Sequence, residues 1–159
     1  MENKETENLN ALISKFEIGD YNQSIALGQK FTKNFPQNGT GWNVLGLSLK
    51  ANGDLEEAIK IFKFLIKVLP KNAAYVANLG NSYMDEKNYD EAEMYYTKAI
   101  NCQPENFKIY YQLGFLYLKK NELKKARDFF YKSKDYNYNF APTYYNLGIV
   151  LNNLNKKNE

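Results

Sequence analysis

The chain contains no histidine, a single cysteine and a single arginine in 159 residues. Without imidazole there is no histidine general base, no histidine-dependent triad and no histidine-bearing zinc site. One thiol, Cys102, excludes both a disulfide within the chain and a thiolate zinc cage. Near the end of a predicted helix, Cys102 reads as a small packed residue rather than a nucleophile. Arg127 is the sole guanidinium, so the bidentate phosphate and base contacts typical of nucleic-acid readers are lacking. The nine glycines are dispersed and form no phosphate-cradling loop. No apolar run approaches the roughly 18 residues needed to span a bilayer; the most apolar stretch, 59–69, is broken by Lys60, Lys63 and Lys67. The opening residues, 1–7, are polar and acidic-leaning, unlike a secretory signal. These absences point to a chain that is not an enzyme, carries no cofactor or metal, takes no nucleic-acid partner, has no membrane span and works in the cytoplasm.

What is present is a period. Pro36, Pro70 and Pro104 stand 34 residues apart, and each is followed two positions later by asparagine: Asn38, Asn72 and Asn106. A fixed spacing between about 20 and 50 residues marks stacked repeats. Units counted from residues 5, 39, 73, 107 and 141 keep their register at several places. The seventh place holds Leu45, Leu79, Leu113 and Leu147, and the eighth holds Gly46, Gly80, Gly114 and Gly148. The fourth is aromatic at Trp42, Tyr110 and Tyr144, with Val76 the exception. The twentieth is small (Ser24, Ala58, Ala92, Ala126), and the twenty-fourth is Phe62, Tyr96 or Phe130 after Gly28 in the first unit.

Apolar positions within each unit recur at helical spacing; on 55–69 they are Leu55, Ala58, Ile59, Phe62, Leu65, Ile66 and Leu69. The pattern predicts helices at roughly 5–18, 21–34, 39–52, 55–69, 73–86, 89–102, 107–120, 123–136 and 141–154. Asn52-Gly53-Asp54 is a tight turn in which glycine takes the left-handed conformation. Asp54 with Glu57, Asp20 with Gln23 and Asn88 with Glu91 read as capping boxes. Glu122 with Lys125 does not, which predicts a looser fourth turn. Asn38, Asn72 and Asn106 suit N-caps, and Pro142 falls in the first turn of the last helix, where proline is tolerated. Glycine inside a helix costs about 0.5–1 kcal/mol relative to alanine. Its return in four units therefore predicts a close approach by the paired helix, which presents a small residue at Ala58, Ala92 or Ala126. The ninth helix is unpaired and polar at Asn152, Asn153 and Asn155, as expected of a cap on a repeat core.

The leucine–glycine pair, the fourth-place aromatic, the small and aromatic residues of the second helix and the closing proline together resemble the tetratricopeptide repeat. The resemblance covers about 150 residues, counted from the unit boundaries. It implies an all-α fold, a right-handed superhelical solenoid of antiparallel helix pairs. About four units (5–38, 39–72, 73–106 and 107–140) and a partial fifth (141–159) would form one domain over 1–159, closed by a C-terminal capping helix.

In that family the first helices line a concave groove that binds peptides. Carried onto this sequence, the groove places include Leu9, Asn10, Ile13, Val44 and Ala77, and the candidate binding residues among them are Asn43, Leu47, Asn78, Asn81, Lys108, Tyr111, Gln112, Phe115, Tyr145, Asn146 and Ile149. Amides donate and accept at once, which suits an extended peptide backbone. Tyrosine offers contact area with a polar tip. The equally simple reading of Tyr111, Phe115 and Tyr145 is packing between neighbouring helices. Repeats that clamp the acidic tails of heat-shock chaperones carry lysine, asparagine, asparagine, lysine and arginine. The places here are Asn43, Leu47, Asn78, Lys108 and Gln112; only Asn78 and Lys108 match, so the resemblance does not extend to that clamp. Asn78-Leu79-Gly80 and Asn146-Leu147-Gly148 are similar to the repeat arm of O-linked N-acetylglucosamine transferases and related bacterial transferases. Lys119, Lys120, Lys124, Lys125 and Arg127 cluster around the fourth turn and read as a solvated edge. The expected function is a noncatalytic scaffold that binds a peptide or partner helix. The alternatives are the N-terminal repeat arm of a glycosyl- or sulfotransferase and a module that assembles with further copies of itself.

Overall fold

The computed structural model describes residues 2–156, with side chains from residue 4 onward; the last three residues of the partial fifth unit lie outside the described residues. The described residues form nine helices and no strand: α1 (Glu2–Glu17), α2 (Tyr21–Asn34), α3 (Gly39–Asn52), α4 (Leu55–Val68), α5 (Ala73–Asp85), α6 (Tyr89–Cys102), α7 (Phe107–Lys119), α8 (Leu123–Tyr136) and α9 (Ala141–Lys156). The helices group into two compact units, Met1–Pro70 and Lys71–Glu159.

The turns repeat a single backbone design. Each first helix ends on a left-handed residue: Gly19, Gly53, Lys87 or Asn121. The next amide but none reaches back to close the helix, from Asp20 to the Lys15 carbonyl, Asp54 to Leu49, Asn88 to Tyr83 and Glu122 to Tyr117, all at 2.9–3.0 Å. This is the Schellman closure. The fourth turn is thus as tight as the others, contrary to the expectation from its weak cap. Backbone bonding holds it, and the left-handed place accepts Lys87 and Asn121 as well as glycine. The side-chain caps are less uniform. Asp20 and Asn88 accept from the amides of Gln23 and Glu91. Asp54 makes no cap bond; its carboxylate accepts instead from the Asn52 amide at 2.8 Å. The predicted box at Asp54–Glu57 is therefore not formed, because Asn52 takes the oxygen. Asn38, Asn72 and Asn106 all cap as expected, accepting from Gly41, from Ala74 and Tyr75, and from Lys108.

In the first unit, Leu12, Phe31 and Val44 form a core ringed by Leu9, Ile13, Phe16, Leu27 and Phe35. Ser24 and Ser48 bury their hydroxyls against one another at 2.6 Å, and the Ser48 hydroxyl also donates to the Val44 carbonyl. A Cβ on Gly41 would strike the Phe31 ring, and one on Gly46 would lie 2.9 Å from Phe62. In the second unit, Leu79, Tyr96, Leu113, Leu116, Phe130 and Val150 are fully enclosed. A Cβ on Gly80 would stand 2.8 Å from the Tyr96 ring, and one on Gly114 would stand 2.6 Å from the Phe130 ring. At Gly46, Gly80 and Gly114 the paired helix makes the close approach that the spacing predicts: its twenty-fourth-place ring lies nearest, and at Gly80 the Ala92 carbonyl follows at 3.4 Å from the added Cβ.

The fourth-place aromatic has a role that periodicity did not reveal. Its polar tip donates to the carbonyl six residues upstream, in the loop before its own helix: Trp42 Nε1 to Pro36 at 2.9 Å, the Tyr110 hydroxyl to Pro104 at 2.8 Å and the Tyr144 hydroxyl to Tyr138 at 2.7 Å. The bond ties the incoming loop to the second turn of the helix. Val76 has no donor to offer.

Candidate partner-binding surface

Asn43 and Leu47 lie on α3 in the first unit, both half-exposed. The other nine predicted residues lie in the second unit: Asn78 and Asn81 on α5, Lys108, Tyr111, Gln112 and Phe115 on α7, and Tyr145, Asn146 and Ile149 on α9. There α7 packs directly against both α5 and α9, so the groove places of three first helices adjoin.

The structure divides these nine by what each side chain already does. Asn146 is buried, and its amide donates to the Tyr111 hydroxyl at 3.0 Å and to the Pro142 carbonyl at 3.2 Å. The Tyr111 ring meets Phe140 edge-on at 5.2 Å and leans on Phe130 at 5.8 Å. Both residues work in packing α7 to α8 and α9. Asn81 accepts from the Tyr96 hydroxyl at 2.8 Å, which satisfies a phenol otherwise enclosed in the core. Burial, reinforced by the Asp85 charge, pushes the Tyr96 hydroxyl well above its usual range. The remaining side chains are more open. Tyr145 is 72% exposed. Lys108 is exposed, and Asn78, Gln112, Phe115 and Ile149 are half-exposed. The Lys119 ammonium lies 5.1 Å from the Phe115 ring centre, within cation–π reach.

The basic cluster at the fourth turn is largely internally paired. Lys120 contacts Asp90 at 3.1 Å and Glu93 at 3.2 Å, Lys125 contacts Glu122 at 2.7 Å, and Arg127 folds onto Asp128. The Tyr117 hydroxyl donates to Glu93 at 2.6 Å. Burial first, and then that bond, raise its pKa. This α6–α7 cluster joins two hairpins of the second unit, which sequence spacing alone did not reveal. Cys102 is exposed at the end of α6, not packed as expected, because the helix terminates on that residue. No group of three histidine, cysteine, aspartate or glutamate side chains among the described residues could hold a metal ion. No helix among them is long and apolar enough to cross a membrane.

Sequence reasoning also missed an apolar concavity in the first unit, lined by Pro36, Trp42, Phe64, Leu65, Val68 and Leu69. Phe64, Val68 and Leu69 are each over two-fifths exposed there. The signal for it in the sequence is that Phe64 and Val68 are apolar yet lie off the helical face formed by Leu55, Ala58, Ile59, Phe62, Leu65, Ile66 and Leu69.

Models of the tetratricopeptide repeat match residues 9–73, 76–106 and 95–128. Among solved structures, that of pilF from Pseudomonas aeruginosa is similar, with a TM-score of 0.86 and 17% identity over 98% of this chain and 71% of that one. A thermophilic tetratricopeptide-repeat protein from Thermus thermophilus gives a TM-score of 0.83 and 20% identity, over 91% and 79% of the two chains. MamA from Desulfovibrio magneticus gives a TM-score of 0.79 and 19% identity, over 97% and 86%. At these identities the likeness is one of fold. No curated protein matches the sequence. Repeat register, turn design and family match agree: the chain belongs to the tetratricopeptide-repeat family, with an all-α fold of helix-pair units followed by a terminal helix.

Proposed function

We propose that the chain is a noncatalytic scaffold that seats an extended peptide or a partner helix along its first-helix surface. Tetratricopeptide repeats serve protein interaction in general, which supports the class of function. The observation that carries the finer reading is the incomplete cover over Phe115, Ile149 and Tyr145, next to the half-exposed amide of Gln112. Phe115 and Ile149 occupy the same repeat place on neighbouring first helices. Large apolar side chains grouped with hydrogen-bonding amides are the usual make-up of a recognition surface. Tyr111 and Asn146 support this surface from below by joining α7 to α9.

The test begins with peptides selected against the folded protein from a random display library. Binding is then measured by calorimetry to Phe115→Ala and Tyr145→Ala. Each substitution is expected to weaken the selected peptides by about tenfold, or roughly 1.4 kcal/mol. Tyr145→Ala is expected to leave the melting temperature unchanged. Wild-type affinity in both variants would remove this surface from the binding site.

A further inference from the structure

We infer that the outer face of α9 is a preformed socket for a helix supplied by a partner polypeptide, with a small residue and an aromatic ring four positions later on its apolar side. The inference does not depend on the groove. It rests on what the same repeat places do elsewhere in the second unit. At the fourth place, Tyr110 is 7% exposed and stacks on Tyr136 of the paired helix, whereas Tyr144 is 45% exposed. At the eleventh place, Tyr117 is 5% exposed and stacks on Phe129, whereas Leu151 is 36% exposed. Between them, at the eighth place, Gly114 is covered by the Phe130 ring, while a Cβ on Gly148 would meet no heavy atom within 4 Å. The face that α7 buries under α8 is therefore present on α9 and open.

The internal pairs define what fits. The covering helices α4, α6 and α8 are each 14 residues long. Each brings alanine at the twentieth place (Ala58, Ala92, Ala126) and a ring at the twenty-fourth (Phe62, Tyr96, Phe130). The ring lies on glycine and the alanine lets the two backbones approach. The second helix of the first unit lacks this chemistry, with Ser24 and Gly28 at the two places. Glycine at 148 carries its helical cost without any present contact to justify it, whereas a ring seated there would require it.

The experiment uses the full chain and a helix-stapled, fluorescent peptide of the α8 sequence, Leu123–Tyr136, titrated by anisotropy. Saturable binding is expected. Gly148→Leu fills the socket, and the Phe130→Ala version of the peptide removes the ring. Each is expected to weaken binding at least tenfold, a loss of about 1.4 kcal/mol. Gly148→Leu has open space around it, so its melting temperature should not fall; Leu151→Glu, also exposed, provides a second block. Absence of saturable binding, or equal binding to wild type and both blocked variants, would overturn the proposal. So would a concentration-dependent dimer in light scattering that Gly148→Leu abolishes, which would assign the face to a second copy of this chain.

Discussion

Replacing one glycine by alanine at the same repeat place should have opposite effects in two helices. In α7, a Cβ on Gly114 would lie 2.6, 2.7 and 2.9 Å from three carbons of the Phe130 ring. Carbon–carbon contacts relax at about 3.5–4.0 Å, so the ring or its helix must retreat by about 1 Å. Phe130 is fully enclosed and cannot swing aside. Overpacking of this kind costs about 1–3 kcal/mol, against about 0.5–1 kcal/mol gained by removing a helical glycine, for a net loss of about 0.5–2 kcal/mol. For a chain of this size that corresponds to a melting temperature lower by about 1–8 °C. In α9, Gly148→Ala meets nothing and keeps only the helical gain, so the melting temperature should rise by about 1–4 °C. Thermal unfolding followed by far-ultraviolet circular dichroism measures both. A Gly114→Ala protein as stable as wild type, or a Gly148→Ala protein less stable, would refute the claim that the aromatic ring dictates the glycine.

Other perturbations follow from the same contacts. Gly80→Leu, which drives a larger side chain into Tyr96, should cost about 3 kcal/mol or more. Tyr110→Phe strips the Pro104 carbonyl of its donor and should lower stability by about 1 kcal/mol in urea unfolding. Asn72→Ala removes a working cap and should cost about 1 kcal/mol, while Asp54→Ala, which removes no cap bond, should cost under about 0.5 kcal/mol. The hydroxyls of Tyr96 and Tyr117 hold their protons above the ordinary tyrosine value of 10.0 in the folded chain. The unfolded chain therefore loses these protons first, so stability is fully present below about pH 10 and falls above it. The urea midpoint should drop more steeply above that pH in wild type than in a Tyr96→Phe/Tyr117→Phe double variant.

The repeat register was legible because helical packing imposes the same side-chain sizes every 34 residues. Leu79, Gly80, Ala92 and Tyr96 could be assigned to a shared core from spacing alone. Spacing does not encode which atom touches which. It located the close approach of Gly80 to the paired helix but not the atoms that make it, the Tyr96 ring first and the Ala92 carbonyl behind it. The same limit explains the turns. Lys87 and Asn121 adopt the left-handed conformation with no glycine to announce it, since the closing backbone bond offsets the cost. For the candidate surface, the family places fall on the first helices α3, α5, α7 and α9. Only coordinates separated Tyr111 and Asn146, bonded to each other across α7 and α9, from Tyr145 and Lys108, which face outward. The pairing of Glu93 with Tyr117 and Lys120 was hidden for another reason: it joins residues 24 and 27 positions apart, a separation that is not a repeat period.

Trp42 is the chain's one indole, and it sits in the first compact unit beside Phe64, with its N–H committed to Pro36. Every tyrosine except Tyr21 falls in the second unit. Light at the red edge of the aromatic band excites the indole and not the phenols, so tryptophan emission is a native optical label for the first unit alone. Melting of that unit shifts the tryptophan signal, while far-ultraviolet dichroism follows the helices of both, so the order in which the halves melt can be read without attaching a dye.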